Sequence, residues 1–350
     1  MKKALSLVLS LAMVFSLAAC GGGSSGGGTS PAGESSSGGS DAPDEVYTLR
    51  FAHGSSTTEP IHAAAVYMQE QLAERSNGAI EVEIYPSATL ADQVPAAEMM
   101  MDGTLALFGG SAVAVESFID AFKIIDLPYL VSDYEEADLL FEGEVGEQLS
   151  AMLPDIGLYN LGWCEYGFRN TYNNVRPIET AEDLQGLKIR AIESPISVAM
   201  WTAFGADPTV MAWNEVYSGL SMGTVDGADG PNSLFQSGRM EEVVQYMSTT
   251  QHMYTPGVIL ASKSIMDSLP PDLWELVQEV GKEAADLMKE TTRNAQEEAA
   301  QAMADNGLII NEVSPEVRAE LAELCSGVYE ENRDVIGAEF FDQVMEILGR

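Results

Sequence analysis

Apolar and polar positions along the chain keep two different periods by turns. Tyr47-Thr48-Leu49-Arg50-Phe51-Ala52 and Ile80-Glu81-Val82-Glu83-Ile84-Tyr85 carry the period of two that predicts strands. Between them Pro60 opens a stretch with Ala64, Tyr67, Met68 and Leu72 on one helical face, stopped by Asn77-Gly78. A further helix through Met99 to Met101 leads to a strand at Leu105-Ala106-Leu107-Phe108, with Gly109-Gly110-Ser111 as its exit. Strand, helix and strand at this spacing predict parallel crossovers in a layered α/β lobe.

The same alternation restarts downstream. Leu187-Lys188-Ile189-Arg190-Ala191 predicts a short strand, Ser194-Pro195 the cap of a helix through Trp201, and Pro208-Thr209-Val210-Met211 a second strand. Asn214 is placed to cap a helix through Leu220, and Thr224-Val225-Asp226-Gly227-Ala228 reads as a third strand. Two α/β lobes follow. From Pro271 a helical pattern persists to about Asp305, with Asn306-Gly307 as its stop. Such a helix extends about 50 Å, enough to lie across both lobes.

The N-terminus breaks this pattern. Lys2 and Lys3 precede an apolar run from Ala4 to Ala19 that is short for a membrane span and matches a secretory signal. It closes on Leu17-Ala18-Ala19-Cys20, which resembles a bacterial lipobox, so residues 1–20 are expected to be a lipoprotein signal whose Cys20 takes the lipid. The alternative is an ordinary signal peptide with an incidental cysteine. Residues 21–45 are Gly, Ser, Pro and acid, too polar to order by burial, and predict a flexible linker. Gly22-Gly23-Ser24-Ser25-Gly26 inside it matches the hydrolase elbow formally, but has no strand before it and no helix after it.

Acidic residues outnumber basic ones 54 to 17, a net charge of −37. This argues against nucleic acid or an anionic lipid surface as a partner and suits a solvated extracytoplasmic surface. Three cysteines make no disulfide framework, and Cys164 and Cys325 are expected as buried thiols with their pairing open. No zincin helix, phosphate loop or dinucleotide fingerprint appears, so no cofactor or metal is assigned; the 17 methionines suit core filling.

In so acidic a chain, arginines at strand ends need a reason. Arg190 lies next to the end of its predicted strand, Trp213 just before a helix start, and Gly230-Pro231 after the third strand, all on one rim of the sheet. A guanidinium there makes a two-pronged bond to a carboxylate, as an ammonium cannot. Arg169 is the second basic candidate, and His53, after the first strand, is a candidate to line the same cleft. Arg190 pairing with Glu193 or Asp226, Arg169 pairing with Glu165, and Trp213 as core packing are the structural alternatives.

Taken in order, Gly167-Phe168-Arg169-Asn170-Thr171, Arg176-Pro177-Ile178, Asp183-Leu184-Gln185-Gly186-Leu187-Lys188-Ile189-Arg190, Trp213-Asn214-Glu215-Val216-Tyr217 and Val225-Asp226-Gly227 resemble the solute-binding proteins of TRAP transporters, the DctP group. Tyr85-Pro86-Ser87 with Leu90, Asp102-Gly103 and Leu127-Pro128-Tyr129 extend the likeness over nearly all of 46–350. The resemblance implies a two-lobed, periplasmic-binding-protein-like fold with a ligand cleft between the lobes and a long helix spanning both. Lobe I is expected at 46–166 plus about 256–295, and lobe II at 167–255 plus about 296–350. It further implies capture of a small organic acid and delivery to a small and a large permease subunit, with no catalysis. Arg190 would grip the carboxylate, Arg169 assist, and Trp213 line the cavity. Some members carry asparagine before the proline that follows Val-Asp-Gly; here Gly230 stands there and Asn232 comes two residues later. The identity of the acid stays open. A binding protein for another importer or a sensor is the nearer alternative, and a secreted lyase or hydrolase the more distant one.

Overall fold

The computed structural model describes residues 45–350. The expected signal, Cys20 and all but the last residue of the expected linker lie outside the described residues. Strands β1 (Tyr47–Ala52), β2 (Ile80–Tyr85) and β3 (Leu107–Ser111) alternate with helices α1 (Pro60–Arg75) and α2 (Gln93–Met101). Helices α3 (Tyr134–Phe141) and α4 (Glu144–Met152) lead to the long strand β4 (Leu158–Asn173). The second alternation is β5 (Lys188–Ala191), α5 (Pro195–Ala203), β6 (Asp207–Val210), α6 (Trp213–Ser221), β7 (Gly227–Gly230) and α7 (Asn232–Ser237). A second long strand, β8 (Tyr246–Ser262), a short helix α8 (Lys263–Met266), α9 (Pro271–Asp305), β9 (Ile309–Asn311) and helices α10 (Pro315–Leu324), α11 (Ser326–Ile336) and α12 (Ala338–Ile347) complete the chain.

All described strands join one mixed sheet in the order β2-β1-β3-β8-β4-β7-β5-β6, with β9 beside β8. β1 runs parallel to β2 and β3, and β5 parallel to β6 and β7, as the helical crossovers require. The lobes are joined by the antiparallel pair β4 and β8, which runs through both. Near Leu158 this pair sits beside β3; near Asn173 it sits beside β7 and β9. The ladder slips at three bulges, one of them between Glu165 and Gly167, where Gly167 has φ +98°. A bulge kinks and twists a strand, which turns one lobe's half of the sheet against the other's.

Along α9 the buried positions Val277, Val280, Gly281, Ala284, Ala285, Met288 and Thr292 recur at three and four residues. Its small residues permit close approach to β4: a Cβ on Gly281 would lie 2.6 Å from Leu161 Cβ, and one on Gly162 2.6 Å from Ala285 Cβ. Leu161, Val277, Val280 and Met288 share one apolar core with β1, β2 and α1, and burial of such side chains contributes roughly 1.5–3 kcal/mol each.

Several boundaries differ from those read in the sequence. β3 starts two residues later than expected and continues through Gly109 and Gly110, which pair with Ile259 and Val258. A side chain at Gly110 would collide with the Phe108 ring, so glycine here serves packing and not an exit turn. β7 likewise begins at Gly227, because the Asp226 carboxylate accepts from Lys188 N and holds the approach to the strand. α6 begins at Trp213, with Ala212 before it, so Asn214 lies inside the helix and caps nothing. Ser194 precedes α5 without capping it, since its hydroxyl donates to Glu116 Oε1 at 3.0 Å. Cys164 and Cys325 are buried free thiols, and burial raises the pKa of each.

Candidate functional site

The sheet brings elements from both lobes around one enclosed space. Gly54 and Ser55 follow β1, Asp92 and Gln93 open α2, and Phe108 and Ser111 belong to β3. From the other side come Arg169 on β4, Arg190 and Ile192 at the end of β5, and Trp213 at the start of α6. Position follows from chain direction: the loops after parallel strands collect at their carboxyl ends, where the lobes face each other. Its free volume is ≈ 60 Å³, and most of its wall is apolar.

The two arginines, alike in the sequence, differ in their bonding. Arg169 Nε donates to Asp229 Oδ2 at 2.6 Å, Nη2 to the Asp229 carbonyl at 2.8 Å, and Nη1 to Thr255 Oγ1 at 3.2 Å. His252 Nε2 lies 3.1 Å from the same Asp229 oxygen. Burial alone would raise the Asp229 pKa, but the Arg169 guanidinium and His252 hold it well below the usual carboxylate range. Burial lowers the His252 pKa, so this imidazole is neutral and Arg169–Asp229 is a compensated pair. Glu165, the sequence-adjacent partner considered for Arg169, accepts instead from Arg293 and Tyr254.

Arg190 has no such compensation. It is 3% exposed, yet its one hydrogen bond within the described protein runs from Nε to the Met211 carbonyl, 2.9 Å away. Its terminal nitrogens have no acceptor within the described protein, and the residue lines the cavity. The guanidinium carbon stands 6.0 Å from the Trp213 ring centroid. Burial, and next the charge of Arg169, lower its pKa to about 10, which leaves it charged at neutral pH and in want of an anion. Asp226, one structural partner considered for it, is occupied by the Lys188 backbone.

Arg190, Arg169 and Trp213 thus share one wall. The other three candidates stand elsewhere. His53 is fully buried, with Nε2 3.0 Å from His62 Nδ1; burial, then the neighbouring His62, lower its pKa to about 4. Gly230 sits beneath the Phe235 ring, which a side chain there would strike. Asn232 opens α7 and turns to Tyr172, whose hydroxyl donates to its Oδ1 at 2.8 Å, while its backbone N–H donates to Gln296. Gly54 and Ser55, which follow His53 in the segment expected at the cleft, line the cavity in its place, and the lobe I residues that sequence reasoning missed include Asp92, Gln93 and Tyr166. For Asp92 and Gln93 the available signal was an Asp-Gln pair a few residues before the helix expected through Met99 to Met101. Burial raises the Tyr166 pKa, so it presents a protonated phenol.

Among the described residues no cluster of His, Cys, Asp and Glu could hold a metal ion, and no helix is long and apolar enough to cross a membrane. The cavity places a cation, an aromatic face and a few polar groups around a small volume. That arrangement is chemically suited to an anion.

The chain matches the model of bacterial extracellular solute-binding protein, family 7, over residues 51–334. It is 30% identical to the 2,3-diketo-L-gulonate-binding periplasmic protein YiaO of Escherichia coli, across 75% of this chain and 80% of the relative. Identity is also 30% to the C4-dicarboxylate-binding periplasmic protein DctP of Rhodobacter capsulatus, across 84% of this chain and 89% of the relative. The crystal structure of the sugar acid binding protein DctPAm from Advenella mimigardefordensis in complex with galactonate superposes with a TM-score of 0.84, at 26% identity, covering 87% of this chain and 98% of that one.

Proposed function

The chain belongs to family 7 of the bacterial extracellular solute-binding proteins, and we propose that its cleft holds a small organic acid by the Arg190 guanidinium. It serves as the solute-binding component of a TRAP-type importer. Family and fold are those of solute-binding proteins, which are not enzymes. The observation that carries the arginine assignment is the bonding of Arg190: a buried guanidinium with a single carbonyl partner and terminal nitrogens open to the cavity.

A carboxylate set against those nitrogens forms two charge-assisted bonds, each contributing about 1.5–3 kcal/mol. Arg169, already compensated by Asp229, positions Thr255 through the hydrogen bond from its Nη1. Trp213 supplies an apolar face beside the bound acid. An empty closed cleft would keep the Arg190 charge buried and unpaired, so closure depends on ligand. The lobes are assigned as 46–166 plus about 256–295 and 167–255 plus about 296–350, with the swap at β4 and β8. A lipid on Cys20 would hold the protein at the outer face of the cytoplasmic membrane, where small and large permease subunits receive the solute.

Calorimetry over a panel of organic acids tests the assignment. Arg190→Ala is expected to weaken the bound acid at least 100-fold with little change in unfolding midpoint, because only one protein bond is lost. An affinity unaltered by Arg190→Ala would remove the clamp.

A further inference from the structure

Resting on the Arg190 clamp, we infer that the solute is a small monocarboxylic acid whose other end donates hydrogen bonds, received by Asp92 in lobe I, and not a dicarboxylic acid. Asp92 directly precedes α2, and its Oδ1 accepts from Gln93 N at 3.0 Å. The Asp92 side chain lines the same cavity as Arg190, near enough for each charge to act on the other. Glycine at position 54 makes room for it, since a Cβ there would collide with Asp92 Oδ1. Beside it Gln93 Oε1 is buried and finds no protein partner. An ionised carboxylate is an acceptor only, so this end of the cavity asks the ligand for donors.

Charge points the same way. The charge of Arg169 is taken by Asp229, which leaves Arg190 as the uncompensated cation of the wall. Apart from Arg169, the charges acting on Arg190 are those of Asp229, Glu193 and Asp92, all negative. One ligand carboxylate is matched by Arg190. A second would face Asp92 with no cation left to meet it. Burial is the largest influence on Asp92 and disfavours its charged form, which the Gln93 N–H and the Arg190 charge favour; a hydroxyl or ammonium donor on the ligand would favour it further. Phe108, Val113, Ile192, Trp213 and Leu234 line the same cavity, which suits a carbon chain.

Calorimetric titration of 4-hydroxybutyrate, 4-aminobutyrate, 3-hydroxybutyrate and succinate into wild type, Asp92→Asn and Arg190→Ala tests the inference. Asparagine is as good a helix cap as aspartate, so Asp92→Asn is expected to keep its unfolding midpoint. In wild type at least one donor-bearing acid is expected to bind ten or more times tighter than succinate. Asp92→Asn is expected to shrink that ratio at least tenfold. A larger loss for 4-aminobutyrate than for the hydroxy acids would assign the donor as ammonium, and the reverse order as hydroxyl. Succinate binding wild type as tightly as every donor-bearing acid overturns the inference, as does an unchanged ratio in Asp92→Asn or no donor-bearing acid binding. Loss of binding in Arg190→Ala beside any of those results leaves the clamp standing and removes only the role of Asp92. Full affinity in Arg190→Ala removes the clamp itself.

Discussion

At the scale of single residues, the cleft separates two arginines by what already holds them. Arg190→Lys is expected to lose at least tenfold in affinity, since the charge survives and the fork does not, with stability close to wild type. Asp229→Asn is expected to act on the fold: it leaves Arg169 buried without its counter-charge, a loss of about 3–5 kcal/mol for a broken buried pair. Urea unfolding beside calorimetry distinguishes the two, and equal destabilisation by both would contradict the division of roles. This division was not legible in the sequence. Arg169 and Arg190 each stand in a strand after an apolar residue, and the partner that settles Arg169 lies sixty positions away on β7. Trp213 and Arg190 were legible because both fall at ends of predicted parallel strands. His53 shares that placement, but its ring meets His62 instead of the cavity.

At the scale of elements, α9 does more than cover the sheet. Arg293 in its second half donates to both oxygens of the fully buried Glu165, at 2.9 and 2.8 Å, and to both oxygens of Asp138 on α3, at 2.6 and 2.9 Å. Three turns of polypeptide are tied together there, next to the bulge at Gly167. Arg293→Ala would leave Glu165 with the Tyr254 hydroxyl alone, so a loss of about 3 kcal/mol in urea unfolding is expected, at the lower end for a buried pair because Arg293 is a quarter exposed. Adding Glu165→Gln should restore part of it; a loss below about 1 kcal/mol would show that the pair does not hold the junction. The helix itself was readable from end to end, because its small and apolar residues keep one period over 35 positions. β4 and β8 were not. Bulges in β4 break the alternation that marks a strand, and β8 from His252 to Ser262 is buried on both faces, so it shows an apolar run without a period.

At the scale of the whole molecule, closure brings acids of lobe I against serines of lobe II. Glu116, 2% exposed, accepts from Ser194 and stands against Asp126, with Lys123 as its nearest basic influence; Arg169 and Asp229 act on Asp126 in turn. Burial raises both carboxyls, and for Glu116 the Asp126 charge raises it further. Across the cleft Glu59, before α1, lies beside Ser237 at the end of α7, and burial pushes it up to about 7 from 4.5. An acid raised in the closed form binds a proton there that the open, hydrated form releases. The contribution to closure is therefore full below the ordinary value and is lost as pH rises through the raised one. For Glu59 that window runs from 4.5 to about 7, and the Glu116–Asp126 pair extends it to the alkaline side. Ligand affinity is expected to fall as pH rises from 5.5 to 8, with protons taken up on binding, as calorimetry in two buffers of different ionisation heat would read. Glu59→Gln and Glu116→Gln should each flatten the profile. An affinity independent of pH across this range, or proton release on binding, would mean that these seams do not open with the cleft. The two lobes could be read from a repeated strand-and-helix grammar, but this seam could not, because it joins acids and serines about 80 and 180 residues apart that no local pattern pairs.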